Sequence, residues 1–140
     1  MMDFTIGKLA AAGKVKIDTI RYYERQGLIA PEGRTEAGYR IFGTEAVRRV
    51  KFIRKAQRVG FTLAEISRLL EFGTSQEATA GDVLAITQKK IDRHQSKINE
   101  LEELKSILGE LAVLCPGEGP TSECPILDYL YPEQIETTGE

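Results

Sequence analysis

The 140-residue chain has no tryptophan, one histidine (His94), two cysteines (Cys115 and Cys124) and five prolines. Each scarcity removes a class of chemistry. An iron–sulfur cluster takes about four thiolates, more than one chain holds. A structural zinc site generally wants four ligands, and His94 is the only imidazole. No apolar run approaches the ~20 residues of a membrane-spanning helix, so no membrane partner is expected. A basic-then-apolar leader pattern is also missing, which makes a cytoplasmic protein the expectation. That compartment is reducing and argues against a permanent Cys115–Cys124 disulfide. No acid–base pair, phosphate-binding glycine loop or nucleophile constellation stands out, so an enzyme is not expected.

What is present is lopsided. Apolar residues make up 41% of the chain, enough for a core. The net charge of −2 conceals two opposite halves. Residues 1–60 carry 13 Lys and Arg against 6 Asp and Glu, whereas residues 61–140 carry 6 against 15. A basic half joined to an acidic half points to a polyanion partner for the first alone.

The basic half reads as short helices and a hairpin. In "FTIGKLAAAGKV", Thr5 is placed to cap a helix that Gly13 ends; in "KIDTIRYYERQGLI", Asp18 reads as the cap and Gly27 as the stop. Two short helices joined by a tight turn make a helix-turn-helix. "APEGRTEAGYRIF" is punctuated by Pro31, Gly33 and Gly38 and reads as a two-stranded wing, with Tyr39 to Phe42 as one strand. Thr44 is the expected cap of an amphipathic helix ending at Gly60. Thr62 and Glu65 form a capping box for another, ending at Gly73.

Residues 74–79, "TSQEAT", form a polar joint. From about Ala80 to Leu114 there is no proline. Leu84, Ile91 and Ile98 recur every seven residues, as do Thr87, His94, Leu101 and Leu108, while Leu104 and Leu111 widen the stripe. A helix of that length runs ~50 Å at 1.5 Å per residue and needs a partner helix, most simply its copy in a second chain. The expected organisation is a DNA-binding domain over 1–73, linker and dimerisation helix over 74–114, a loop and short helix over 115–130 and a flexible tail over 131–140.

On the second helix, Lys16, Thr19, Arg21 and Tyr22 stand where a recognition helix meets DNA. Adjacent helical side chains point in different directions, so Tyr23 is expected in the core and Tyr22 outside it. Arg34, Tyr39 and Arg40 cluster at the wing, and Arg54 and Arg58 lie four apart on the third helix, placed for phosphate contacts.

"TIRYYERQGLI", "RTEAGYRIF" and "FIRKAQRVGFTLAEI" resemble the winged head of the MerR family of bacterial transcription regulators. Three motifs occur in order at compatible spacings, and the resemblance extends to about Leu130. It implies an all-α-dominated fold: a winged helix-turn-helix head, a long antiparallel coiled-coil dimerisation helix and a short C-terminal metal-binding loop. It implies a homodimer on double-stranded promoter DNA whose elements are too far apart, distorted so that RNA polymerase can engage. Carried over by motif, the DNA contacts are Arg21, Tyr23, Arg34, Tyr39, Arg40 and Arg54, with Lys16, Thr19 and Tyr22 beside them. The chain departs from the family at Lys14, where glycine is usual. Smooth distortion of a site costs ~1–6 kcal/mol, so an inducer supplying ~1–3 kcal/mol of coupling suffices to change promoter output.

Metal-responsive members carry two cysteines around a loop just after the long helix, as "CPGEGPTSEC" does. The resemblance therefore makes Cys115 and Cys124 soft-metal ligands, suited to Cu(I), Ag(I), Zn(II), Cd(II), Pb(II) or Hg(II). Divalent sensors add a cysteine at the start of the partner's long helix, and Ala80 occupies that position here. Two thiolates without a third favour a linear monovalent site for Cu(I), Ag(I) or Au(I). The loop, however, has one residue more than in copper-type members, and residue 80 is alanine where they have serine. Glu118, Glu123, Asp128 or water could complete a divalent site. A thiol-redox sensor using a reversible Cys115–Cys124 disulfide is the alternative of another kind.

Overall fold

The computed structural model describes residues 3–132. The chain divides into two compact units, Met1–Lys90 and Ile91–Glu140, and each is taken by itself.

The first unit begins with the helix-turn-helix. Helix α1 (Ile6–Gly13) is capped as expected: Lys8 N–H donates to Thr5 Oγ1 at 3.3 Å. Helix α2 (Ile17–Arg25) starts two residues earlier than the sequence suggested. Its N-cap is Lys16, with no side-chain cap bond, and Asp18 lies inside the first turn, where it faces Arg21 at 3.4 Å. The carboxylate thus complements the helix dipole instead of capping it. Strands β1 (Gly33–Arg34) and β2 (Arg40–Ile41) pair antiparallel, with Gly33 opposite Ile41 and Arg34 opposite Arg40. The wing is tied to the start of the chain by a reciprocal Phe4–Phe42 backbone pair at 2.8 Å each way.

Helix α3 (Thr44–Arg58) is capped by Gly43, not Thr44. Gly43 is buried, and a Cβ there would meet the carboxylate end of the exposed Glu32 side chain, which would have to swing aside. Helix α4 (Leu63–Thr74) has the full capping box between Thr62 and Glu65 and runs through Gly73 to Thr74. Its last turn is bonded within itself, since Thr74 Oγ1 donates to Glu71 O at 3.2 Å. Leu9, Ile20, Phe42, Val50, Ile53 and Ile66 are fully buried and make one core from α1, α2, the wing, α3 and α4. The polar segment 74–79 connects α4 to α5 (Ala80–Leu114), which opens with reciprocal Thr79–Asp82 bonds. The compact head continues past that segment: Ile86 and Lys90 are buried against it, 7% and 8% exposed.

In the second unit α5 continues as an unbroken helix. Ile91, Ile98, Leu101, Leu104 and Leu108 are each about half exposed or more, so this chain does not cover the seam predicted from the seven-residue spacing. His94 sits on the same exposed face. The helix ends at Leu114, and Cys115 opens a loop in which Gly117 and Gly119 both take positive φ, 75° and 89°. A short 3-10 turn (Thr121–Glu123) leads to Cys124, the N-cap of α6 (Pro125–Leu130). The tail expected over 131–140 lies outside the described residues from 133 onward. Among the described residues no helix is long and apolar enough to cross a membrane.

Candidate functional site

The candidate DNA-facing surface is built on the turn between α1 and α2. Lys14 takes the left-handed conformation, φ 58° and ψ 42°, and its N–H closes α1 onto the Ala10 and Ala11 carbonyls. Lys14 thus adopts the left-handed conformation that glycine takes most readily. The cost is the ~1–2 kcal/mol of a left-handed L-residue. Gly13, expected to end the helix through its freedom, serves otherwise: it is buried, and a Cβ on it would collide with Val50 Cγ1 on α3. Arg54 then secures the turn. Its Nη1 donates to Gly13 O at 3.2 Å and Lys14 O at 2.6 Å, carbonyls that the end of α1 leaves open.

The expected DNA residues fall into two groups. Lys16, Arg21, Tyr22, Arg34 and Tyr39 are exposed, Tyr39 by 72%, and Thr19 is partly so. Arg34 Nη1 reaches back to Gly38 O at 3.0 Å, which shapes the wing tip. Arg25 lies over the Tyr22 ring at 5.7 Å. The second group is committed to the fold. Tyr23 is 3% exposed, and its hydroxyl donates to Gln57 Oε1 at 3.1 Å. Burial raises its pKa, with the Arg54 charge opposing. The split between the two adjacent tyrosines thus follows helix geometry. Arg40 is paired with both oxygens of Glu24 at 3.1 Å, bracing β2 against α2, and Arg54 is spent on the turn.

Residue-by-residue reading overlooked one cleft. Lys14, Lys51, Arg54, Lys55 and Arg58 surround a cavity of about 320 Å³ beside the turn, with Ala12 and Gly13 as its uncharged walls. Five cations and no carboxylate line it. Lys51 and Lys55 are four apart on α3, as are Arg54 and Arg58, so the periodicity was available; the contribution of Lys14 depends on the tertiary turn. By contrast Arg49, which could pass for a solvated charge, donates to Leu28 O at 2.8 Å and is structural.

The thiol site lies in the second unit. Cys115 and Cys124 are both free and partly buried. The Cys124 thiol sits over the first turn of α6, where the Leu127 N–H lowers its pKa most. The Ile126 N–H and the Cys115 thiol lower it further, against partial desolvation and the Asp128 charge. A thiolate is the form that binds metal and the form that attacks disulfides, so the arrangement favours both. Among the described residues, no three His, Cys, Asp or Glu side chains gather where an ion could be held. Among the described residues Glu118, Glu123 and Asp128 do not gather with both cysteines into such a group, although the Asp128 charge acts on the Cys124 thiol.

Comparison with known proteins agrees with this geometry. Residues 4–72 match the model described as MerR HTH family regulatory protein, and residues 47–111 match the model MerR, DNA binding. A mercuric resistance operon regulatory protein of Bacillus cereus is 43% identical over 129 residues, spanning 92% of this chain and 98% of that one. The HTH-type transcriptional regulator ZntR of Escherichia coli K12 is 36% identical, over 91% of this chain and 92% of that one. Among solved structures, the transcription regulator PbrR691 of Ralstonia metallidurans CH34 in complex with lead(II) superposes with a TM-score of 0.81 at 31% identity. That match covers 94% of this chain and all of that one. These relatives are transcription regulators, not enzymes. The chain belongs to the MerR family of helix-turn-helix, DNA-binding transcription regulators.

Proposed function

We propose that this regulator works in the cytoplasm as a homodimer on promoter DNA, distorting it for RNA polymerase, and that its inducer is a soft metal ion held between Cys115 and Cys124. The observation that carries the metal reading is the thiol pair itself. Two free cysteines nine positions apart are brought together, one of them on backbone N–H donors that favour its thiolate. When bound, the ion supplies positive charge and a rigid link between the end of α5 and the start of α6.

On DNA, Lys16, Thr19, Arg21 and Tyr22 face the groove and backbone, and Arg34 and Tyr39 grip from the wing. Tyr23, Arg40 and Arg54 hold those residues in place. Lys14, Lys51, Lys55 and Arg58 offer the basic cleft to a phosphate. The division of the chain follows the same lines: a DNA-binding head, a dimerisation helix and an effector loop from Cys115.

Two thiolates with no third ligand favour ions content with linear coordination, Cu(I) and Ag(I) first. A divalent reading has its own support in relatives named for mercuric resistance and crystallised with lead(II). A promoter-reporter titration with Cu, Ag, Zn, Cd, Pb and Hg salts separates them. Induction by Cu and Ag alone upholds the monovalent reading, and response to divalent ions alone replaces it. Response to the thiol oxidant diamide in chelated medium, with no response to any metal, makes the pair a redox sensor. Cys115→Ser abolishes induction and leaves operator binding intact; loss of DNA binding instead would make the loop structural.

A further inference from the structure

Only two of the 35 residues of α5, Ile86 and Lys90, are buried. Ile86 supplies apolar contact, which is non-directional. Lys90 is the one buried charge among the described residues, at 8% exposure, and it must be paired to stay there. Its Nζ lies 2.8 Å from Glu65 Oε1 and 6.0 Å from the centre of the Phe61 ring. The same Glu65 oxygen accepts the Thr62 N–H at 2.8 Å, while Glu65 N–H donates to Thr62 Oγ1 at 3.2 Å. One carboxylate oxygen therefore closes the capping box of α4 and holds the first turns of α5.

We propose that Glu65 and Lys90 are a positioning pair that ties the first turns of α5 to the start of α4, so that a change in α5 reaches the DNA-reading surface through α4. A charge-assisted hydrogen bond is short and directional, unlike the Ile86 contact beside it. Its donor lies ten positions into α5, and its acceptor sits at the first turn of α4. Helix α4 packs on α3, which carries Arg54 and the basic cleft. Glu65 is held well below the usual carboxylate range, to about 2, chiefly by Lys90 and then by the Thr62 N–H, so its carboxylate is ionised near neutral pH.

The consequence for induction rests on the metal-regulated reading above; the geometry does not. Lys90→Met removes the charge and keeps the stem, Lys90→Arg keeps the charge, and Glu65→Gln keeps an acceptor for the Thr62 N–H. In the metal-titrated reporter, Lys90→Met and Glu65→Gln lower the induction ratio by about tenfold, within the usual range of coupling between sites. Operator affinity and metal binding stay close to wild type, and Lys90→Arg recovers most of the response. Full induction in Lys90→Met overturns the proposal, as does failure of Lys90→Arg to recover, which would leave packing alone as the cause.

A metal-free readout separates this outcome from failure of the metal reading. In full-length dimer carrying Cys115→Ser and Cys124→Ser, a spin label at Glu36→Cys on the wing reports wing-to-wing distances. Lys90→Met broadens that distribution and Lys90→Arg restores it; an unchanged width overturns the proposal. A wild-type regulator that answers no metal sinks the metal reading, and the label distances then decide the pair by themselves.

Discussion

The head and the region after Lys90 solve the problem of stability in opposite ways. In the head, six large side chains are fully buried and every helix contributes to one core. From Ile91 to Pro132 no residue is buried, although this stretch holds Ile91, Ile98, Leu101, Leu104 and Leu108. An exposed apolar seam on a single helix has no internal source of stability. The head is thus a folding unit within one chain, and the seam is half of one. In the function proposed above the same contrast holds: DNA recognition uses residues positioned by a core, and dimerisation uses residues positioned by helical periodicity alone.

The largest effect is expected where the second region depends on its copy. Leu101→Asp places a carboxylate in the seam and costs at least ~2–3 kcal/mol, on the order of a hundredfold in dimer dissociation. Sedimentation reads the monomer, and operator binding weakens with it. A dimer of unchanged strength would break the comparison, because the seam would then not be the interface. In the head, Gly13→Ala drives a methyl into Val50 and costs about 1–3 kcal/mol, as overpacking does. Urea melts followed on the head detect it, while dimer strength stays the same. A loss of dimer instead would mean that the two regions are not independent.

Acid distinguishes the regions as well. Glu65 has its pKa lowered from 4.5 to about 2 by Lys90 and Thr62, so the stability it contributes is complete above about 4.5 and is lost as pH falls toward about 2. Wild-type head stability therefore falls more steeply between pH 5 and 3, by roughly the contribution of one carboxylate, than that of Glu65→Gln. Equal slopes in urea melts would remove the ion pair from the account. The smallest effect runs the other way. Lys14→Gly relieves a left-handed residue and stabilises the head by about 1 kcal/mol. Destabilisation would show that the Lys14 side chain contributes more than its backbone costs.

Most of the architecture was legible because its signals are local. The Thr5 cap and the Thr62–Glu65 capping box were read correctly from residue type and spacing, since a cap is a contact over three residues. Two other caps were misread. Asp18 and Thr44 are good cap residues, but their helices start at Lys16 and Gly43, neither of which makes a side-chain cap bond. Tyr22 and Tyr23 were separable by helix geometry alone, and the structure gives the inward tyrosine a partner, Gln57, 34 positions away.

The sequence by itself determined the elements, the seam, the basic and acidic halves and the pairing of cysteines around a turn-rich loop, because periodicity, caps and glycine turns act over a few residues. Only the tertiary structure decided which cations are held by contacts within the fold and which stay exposed. It decided that Lys14 carries the left-handed turn while Gly13 admits Val50, that Arg54 closes that turn, and that Glu65 holds both α4 and Lys90. Each of these is a contact between residues far apart in the chain, and its energy depends on burial and direction that no local pattern encodes.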